Sequence, residues 1–161
     1  MAFLTLTVKT TIARWLLEHD ADASRNIYSQ LPVGSGCNCS DCRNFLAGIT
    51  RFFPAEFQSI ASNLGVDLAK PAELSHYGRE ADGLHVTGGF YHFIGSILSG
   101  ADVLQWSGSS GTFHFAQLAP QFGFGFGAQA QLVADPFCAY TIVQLEFQTR
   151  VPWIIAELES P

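Results

Sequence analysis

Apolar and polar positions alternate along Phe3–Thr10, and the period of two with recurring Thr and Val predicts a strand. Ile12–Glu18, with Trp15, Leu16 and Leu17, suits a strand or a short helix equally. His19–Asn26 is polar, carries Asp20 and Asp22, and reads as a loop with His19 in solvent. Ile27–Val33 returns to a strand pattern and stops at the turn Gly34-Ser35-Gly36. There the period changes. Cys42, Phe45, Leu46, Ile49, Phe52 and Phe53 recur at helical spacing, with Ser40 as N-cap and Asp41 at the positive end of the dipole. A helix over about 40–53 is therefore expected. Pro54 suits the first position of a second helix, about 54–64, with Phe57, Ile60, Ala61 and Leu64 inward and Gly65 as its left-handed stop.

Beyond Pro71 the pattern becomes β-rich. Leu74–Gly78 and Leu84–Gly88 flank Arg79–Gly83, whose Ala-Asp-Gly tip is a hairpin turn. Phe90–Leu98, Val103–Trp106, Thr112–Leu118, Gln121–Gly127 and Ala139–Phe147 follow as strands, and Val151-Pro152-Trp153 leaves the sheet. The fold class predicted is α+β: a mainly antiparallel sheet, curled or two-layered, with a pair of short helices packed on it. No repeat or linker divides the 161 residues, so one domain, 1–161, is expected.

Composition narrows the function classes. The chain is 48% apolar and only 14% charged, so much of its surface is uncharged. That favours self-association or a buried small-molecule ligand. The net charge is −6, and Lys9 and Lys70 are the two lysines. Phosphate backbones and anionic membranes are held by clustered positive charge, which this sequence lacks. The run Phe90–Leu98 is too short to span a bilayer, and the amino terminus has no secretory pattern. Three of four cysteines lie within six residues, an arrangement suited to metal, redox or packing roles in a reducing compartment. The cytoplasm is the expected location.

Cys37-Asn38-Cys39-Ser40-Asp41-Cys42 is the leading chemical candidate. Thiolates are soft ligands, and a C-x-x-C pair at a turn entering a helix can grip one ion, zinc foremost. A structural zinc needs a fourth ligand, which would be Cys138 or one of His76, His85, His92 and His114. His92 leads among them, because in a strand it shares a face with Phe90 and Ile94 and a buried histidine needs a partner. The opposing reading makes Cys42 an ordinary buried member of its helix stripe and His92 a core histidine bonded to a carbonyl or tyrosine. Redox use of Cys39 and Cys42 is weaker still, since the Ser-Asp spacer puts a carboxylate beside a thiol that would have to ionise. His85 with Thr87, and Thr112 with His114, share strand faces that alternation assigns more often to solvent.

Phe122, Phe124 and Phe126 alternate with Gly123, Gly125 and Gly127, giving a strand with rings on one face and bare backbone on the other. No catalytic triad order, G-x-S-x-G elbow or H-E-x-x-H is present. Asp102, Asp135 and Glu146 are scattered, and no spacing assembles them.

The run Cys37-x-Cys39-x-x-Cys42-x-Asn44-Phe45, then Phe53-Pro54, Leu64-Gly65-Val66-Asp67 and Lys70-Pro71-x-Glu73, resembles a family of small bacterial cytosolic proteins without an assigned activity. The resemblance covers roughly 36–74 and implies a bacterial cytosolic domain with Cys39, Cys42 and Asn44 as matching polar positions. The preferred function is a non-catalytic binding or interaction domain. The alternative is a metal-binding or thiol-redox protein built on Cys37, Cys39 and Cys42.

Overall fold

The computed structural model describes residues 6–159 and is an α+β fold with a mostly antiparallel sheet. Strands β1 (Val8–Ile12) and β2 (Trp15–His19) form a tight hairpin, followed by helix α1 (Ala21–Tyr28). Three helices come next: α2 (Ser40–Ala47), α3 (Ile49–Phe52) and α4 (Ala55–Asn63). Then come β3 (Glu73–Arg79), β4 (His85–Ser99), β5 (Leu104–Ser107), β6 (Ser110–Phe113), β7 (Ala116–Ala119), β8 (Phe122–Gly127) and β9 (Ile142–Val151). The main sheet runs β1-β2-β4-β9-β8-β7, and β5 with β6 forms a separate ribbon.

β4 is the spine. Its first half pairs β3 (Glu73 opposite Phe90), its second half pairs β2 (Leu17 opposite Ile97), and its other edge pairs β9 from His85–Val151 to Ile94–Ile142. The two segments expected as separate strands, Leu84–Gly88 and Phe90–Leu98, are thus one. No turn chemistry interrupts them, and Gly88 and Gly89 sit where a Cβ would meet Phe147 O at 2.9 Å and Glu73 O at 2.2 Å.

Directly opposed residues share a sheet face. One face carries Tyr91, Phe93, Val143, Leu145, Phe147 and the three phenylalanines of β8, all buried. Helices α2 and α4 lie on it: Phe45 stacks on Phe147 at 5.5 Å, Phe53 meets it edge-on at 5.0 Å, and Phe57 meets Phe122 at 4.8 Å. Fully burying a side chain of this size contributes about 1.5–3 kcal/mol, so this aromatic layer holds helices to sheet. The other face carries Phe90, His92, Gln144, Glu146 and the glycines of β8. Val103 and Phe115 close over it, since a Cβ on Gly125 would lie 2.4 Å from Val103 Cγ2 and one on Gly123 would lie 2.7 Å from Phe115 Cβ.

Several local expectations are corrected. His19–Asn26 is not a loop: Asp20 caps α1, its carboxylate accepting from Ala23 N at 2.9 Å. Ile27–Val33 is the end of α1 and a turn rather than a strand, with Ile27 and Tyr28 buried. His19 is buried, not solvent-facing, because it ends β2 against Phe93 and its Nε2 lies 3.1 Å from Thr10 Oγ1. The helix expected over 40–53 breaks at Gly48, where a Cβ would collide with Phe52 at 2.4 Å and α3 turns away. The first three residues of the strand expected over Phe3–Thr10 lie outside the described residues, and its last three, 8–10, fall in β1.

Candidate metal centre

The entrance of α2 is capped by sulfur rather than by the expected Ser40 hydroxyl. Cys39 is the N-cap, and its Sγ accepts from Cys42 N at 3.5 Å; Cys37 Sγ in turn accepts from Cys39 N at 3.5 Å. Backbone N–H groups freed by the helix start therefore point at thiols. Cys42, one turn in, is buried on the apolar stripe as the sequence implies, and Cys37 and Cys39 are exposed. The three Sγ atoms lie within 4.8 Å of one another, a group able to hold a metal ion.

The thiols differ chemically. Amide and thiol hydrogen bonds from Cys39, and then Cys42, hold the Cys37 thiol below its ordinary value. Burial, then the neighbouring thiols, push Cys42 up to about 12. The guanidinium of Arg43 stands beside the loop, donating to Asn38 O and to both carboxylate oxygens of Glu157.

A second group adjoins this one in the chain. Asp41, between Cys39 and Cys42, comes together with His76 of β3 and His85 of β4, one ligand atom of each lying within 4.8 Å of the others. His85 and His76 lie diagonally across the β3–β4 pair, since His76 is opposite Thr87, and a register shift follows His76. His76 Nε2 is 2.8 Å from His85 Nδ1, His85 Nε2 is 2.7 Å from Glu159 Oε1, and His76 Nδ1 is 3.6 Å from Asp41 Oδ2. His85 is buried between the His76 and Trp153 rings, correcting the solvent-facing assignment of His85 and Thr87, which is buried too.

The segment after β9, which sequence reasoning saw leaving the sheet without seeing where it goes, runs beside α2 and reaches His85. Asn44 fixes it: its Nδ2 donates to Pro152 O at 3.1 Å and its Oδ1 accepts from Ile154 N at 2.7 Å. Arg43–Glu157 and Arg79–Glu159 ion pairs extend the clamp.

Among the described residues the cysteine group contains no histidine. His92 is buried on the outer sheet face, its Nε2 3.0 Å from Gln144 Oε1, and burial keeps its pKa below the ordinary value. Cys138 is exposed, with its Sγ 3.7 Å from Val133 O. The carboxylates that spacing left scattered are partly gathered by the fold. Glu73, Asp102 and Glu146 line one cavity of about 210 Å³ with Tyr77, Phe90 and Gln144. Burial, aided by the charge of Glu73, lifts Glu146 to about 7, against the pull of the Gln144 amide at 2.5 Å.

No family model, curated protein or solved structure matches the chain. Among the described residues no helix is long and apolar enough to cross a membrane.

Proposed function

We propose that the chain is a non-catalytic, cytosolic binding domain whose Cys37, Cys39 and Cys42 hold one soft divalent ion, zinc foremost. The mutual approach of the three sulfurs carries this reading. A tetrahedral zinc with sulfurs at roughly 2.3 Å holds them about 3.8 Å apart. Sulfurs already within 4.8 Å of each other need only small rotations to reach that spacing. The N–H···S bonds from Cys39 and Cys42 favour thiolate, and the Arg43 guanidinium offsets part of the negative charge. Three protein ligands leave a fourth position for water or a small molecule. A bacterial cytosolic origin fits the reduced thiols and the resemblance in 36–74, whose matching positions Cys39, Cys42 and Asn44 all belong to this entrance. Thiol-disulfide exchange is the poorer reading, because a resolving thiol held near 12 is protonated at working pH.

Elemental analysis of protein purified without added metal, with a thiol count, tests the proposal. Zinc is expected in native protein, and a Cys39→Ala, Cys42→Ala variant should hold one equivalent less and melt at a lower temperature. Four freely titratable thiols in native protein, with zinc content and melting temperature the same in the variant, reject it.

A further inference from the structure

Three side chains from separate elements converge beside α2. One ligand atom each of Asp41, His76 and His85 lies within 4.8 Å of the others. His76 Nε2 is 2.8 Å from His85 Nδ1, and His76 Nδ1 faces Asp41 Oδ2 at 3.6 Å. On the far side of the His85 ring, Nε2 is 2.7 Å from Glu159 Oε1. Asp41 Oδ1 is buried without a hydrogen-bond partner. Two imidazoles and a carboxylate with an unused oxygen, at this spacing, match the donor set of a bound cation.

We propose that Asp41, His76 and His85 form a second metal site, of nitrogen and oxygen donors, separate from the three thiols. Two imidazoles and a carboxylate suit a borderline first-row divalent ion. The support is also of the kind metal sites use. Glu159 bonds the far nitrogen of His85 and fixes its tautomer, as carboxylates do behind ligating histidines. Arg79 holds Glu159 at 3.0 Å, and Trp153 packs on the His85 ring at 5.3 Å. On binding, the ion takes one nitrogen lone pair from each ring and one from Asp41, and the His76–His85 hydrogen bond opens.

The site goes beyond the thiolate reading and fails independently of it. The probe is zinc alone, titrated into the metal-free, reduced full chain against a chromophoric chelator. A variant with Cys37, Cys39 and Cys42 all changed to Ser is expected to keep one zinc equivalent. Adding His76→Gln or Asp41→Asn to that variant, both at half-buried positions, weakens the remaining equivalent more than about tenfold. Loss of all zinc from a folded triple-serine variant, or affinity unmoved by both added substitutions, overturns the proposal. Should the triple-serine variant not fold, the imidazole ¹⁵N resonances of native protein decide. Shifts of both His76 and His85 at saturating zinc support the site, and unmoved resonances overturn it. The thiolate site is read separately, by protection of the cysteines from alkylation, so either site can be lost while the other stands.

Discussion

Replacing Glu146 by Gln should stabilise the protein at alkaline pH and leave it unchanged in acid. Glu146 sits on β9 opposite Phe90 and Gly125, facing the cavity that Glu73 and Asp102 share. Its pKa rises from an ordinary 4.5 to about 7, first because burial penalises the charge. Below 4.5 the group is protonated whether the chain is folded or not, and costs nothing. As pH climbs from 4.5 to 7 the unfolded chain releases a proton that the folded chain retains, and stability falls. Above 7 the full penalty applies, about 3 kcal/mol. Gln has the same shape, carries no charge and can still bond Gln144. Urea unfolding between pH 4 and 8, followed by tryptophan fluorescence, measures the difference. His19 and His92 are lowered by burial, so native stability also declines as pH falls below their ordinary 6.5. Subtracting the two profiles removes that contribution, which both proteins share. The Gln variant should gain on the native chain steadily from pH 4.5 to 7 and level off near 3 kcal/mol. A difference that does not change with pH refutes the reasoning, as does a variant less stable at pH 8.

Other substitutions probe the packing and the clamp. Phe147→Ala removes the ring that Phe45, Phe53, Phe57 and Phe122 all touch, and should cost about 3–5 kcal/mol in chemical denaturation. Gly125→Ala drives a Cβ toward Val103 at 2.4 Å and should cost about 1–3 kcal/mol, partly recovered by adding Val103→Ala. Asn44→Ala leaves Pro152 O and Ile154 N without their partner, so proteolysis should cut after β9 far sooner than in native protein while the sheet stays folded. In metal-free protein at pH 8, iodoacetamide should modify Cys37 fastest and Cys42 slowest, as their opposite pKa shifts and burial demand; equal rates contradict the assignment.

Elements with a strong period were legible in the sequence. The stripe Phe57, Ile60, Ala61 and Leu64 gave α4, which starts at Ala55 because Pro54 is its extended N-cap and not its first residue, and Gly65 has the positive φ of 77° that its stop requires. The Phe-Gly alternation gave β8. Where local pattern was weak, a distant contact decided. Helix α1 has few apolar residues, and its position depends on Ser24, whose hydroxyl donates to Asp20 O and accepts from Ile94 N on β4. Nothing within 19–28 announces a partner seventy residues away. His19 is the same case, since its burial follows from β2 pairing with the far half of β4.

The site divides in the same manner. Cys37, Cys39 and Cys42 are neighbours in the chain, and a helix start converges them, so spacing alone located them. His76 and His85 were visible only as two of several histidines, and the spacing rule ranked His92 above them because it sits in the most apolar run. Apolar surroundings mark burial, which Gln144 satisfies for His92. What selects ligands is convergence, and here it depends on the register of β3 against β4, on α2 bringing Asp41 to His76, and on Glu159 reaching His85. Register between strands leaves no composition signature in either of them. Asn44, two residues beyond Cys42, belongs by helical spacing to the polar face of α2 with Arg43, yet it is buried. A fully buried amide must spend both ends on backbone, so it marks where a second segment crosses. That crossing segment brings Glu157 to Arg43 beside the thiols and Glu159 to His85, which couples the chain's end to both groups of ligands.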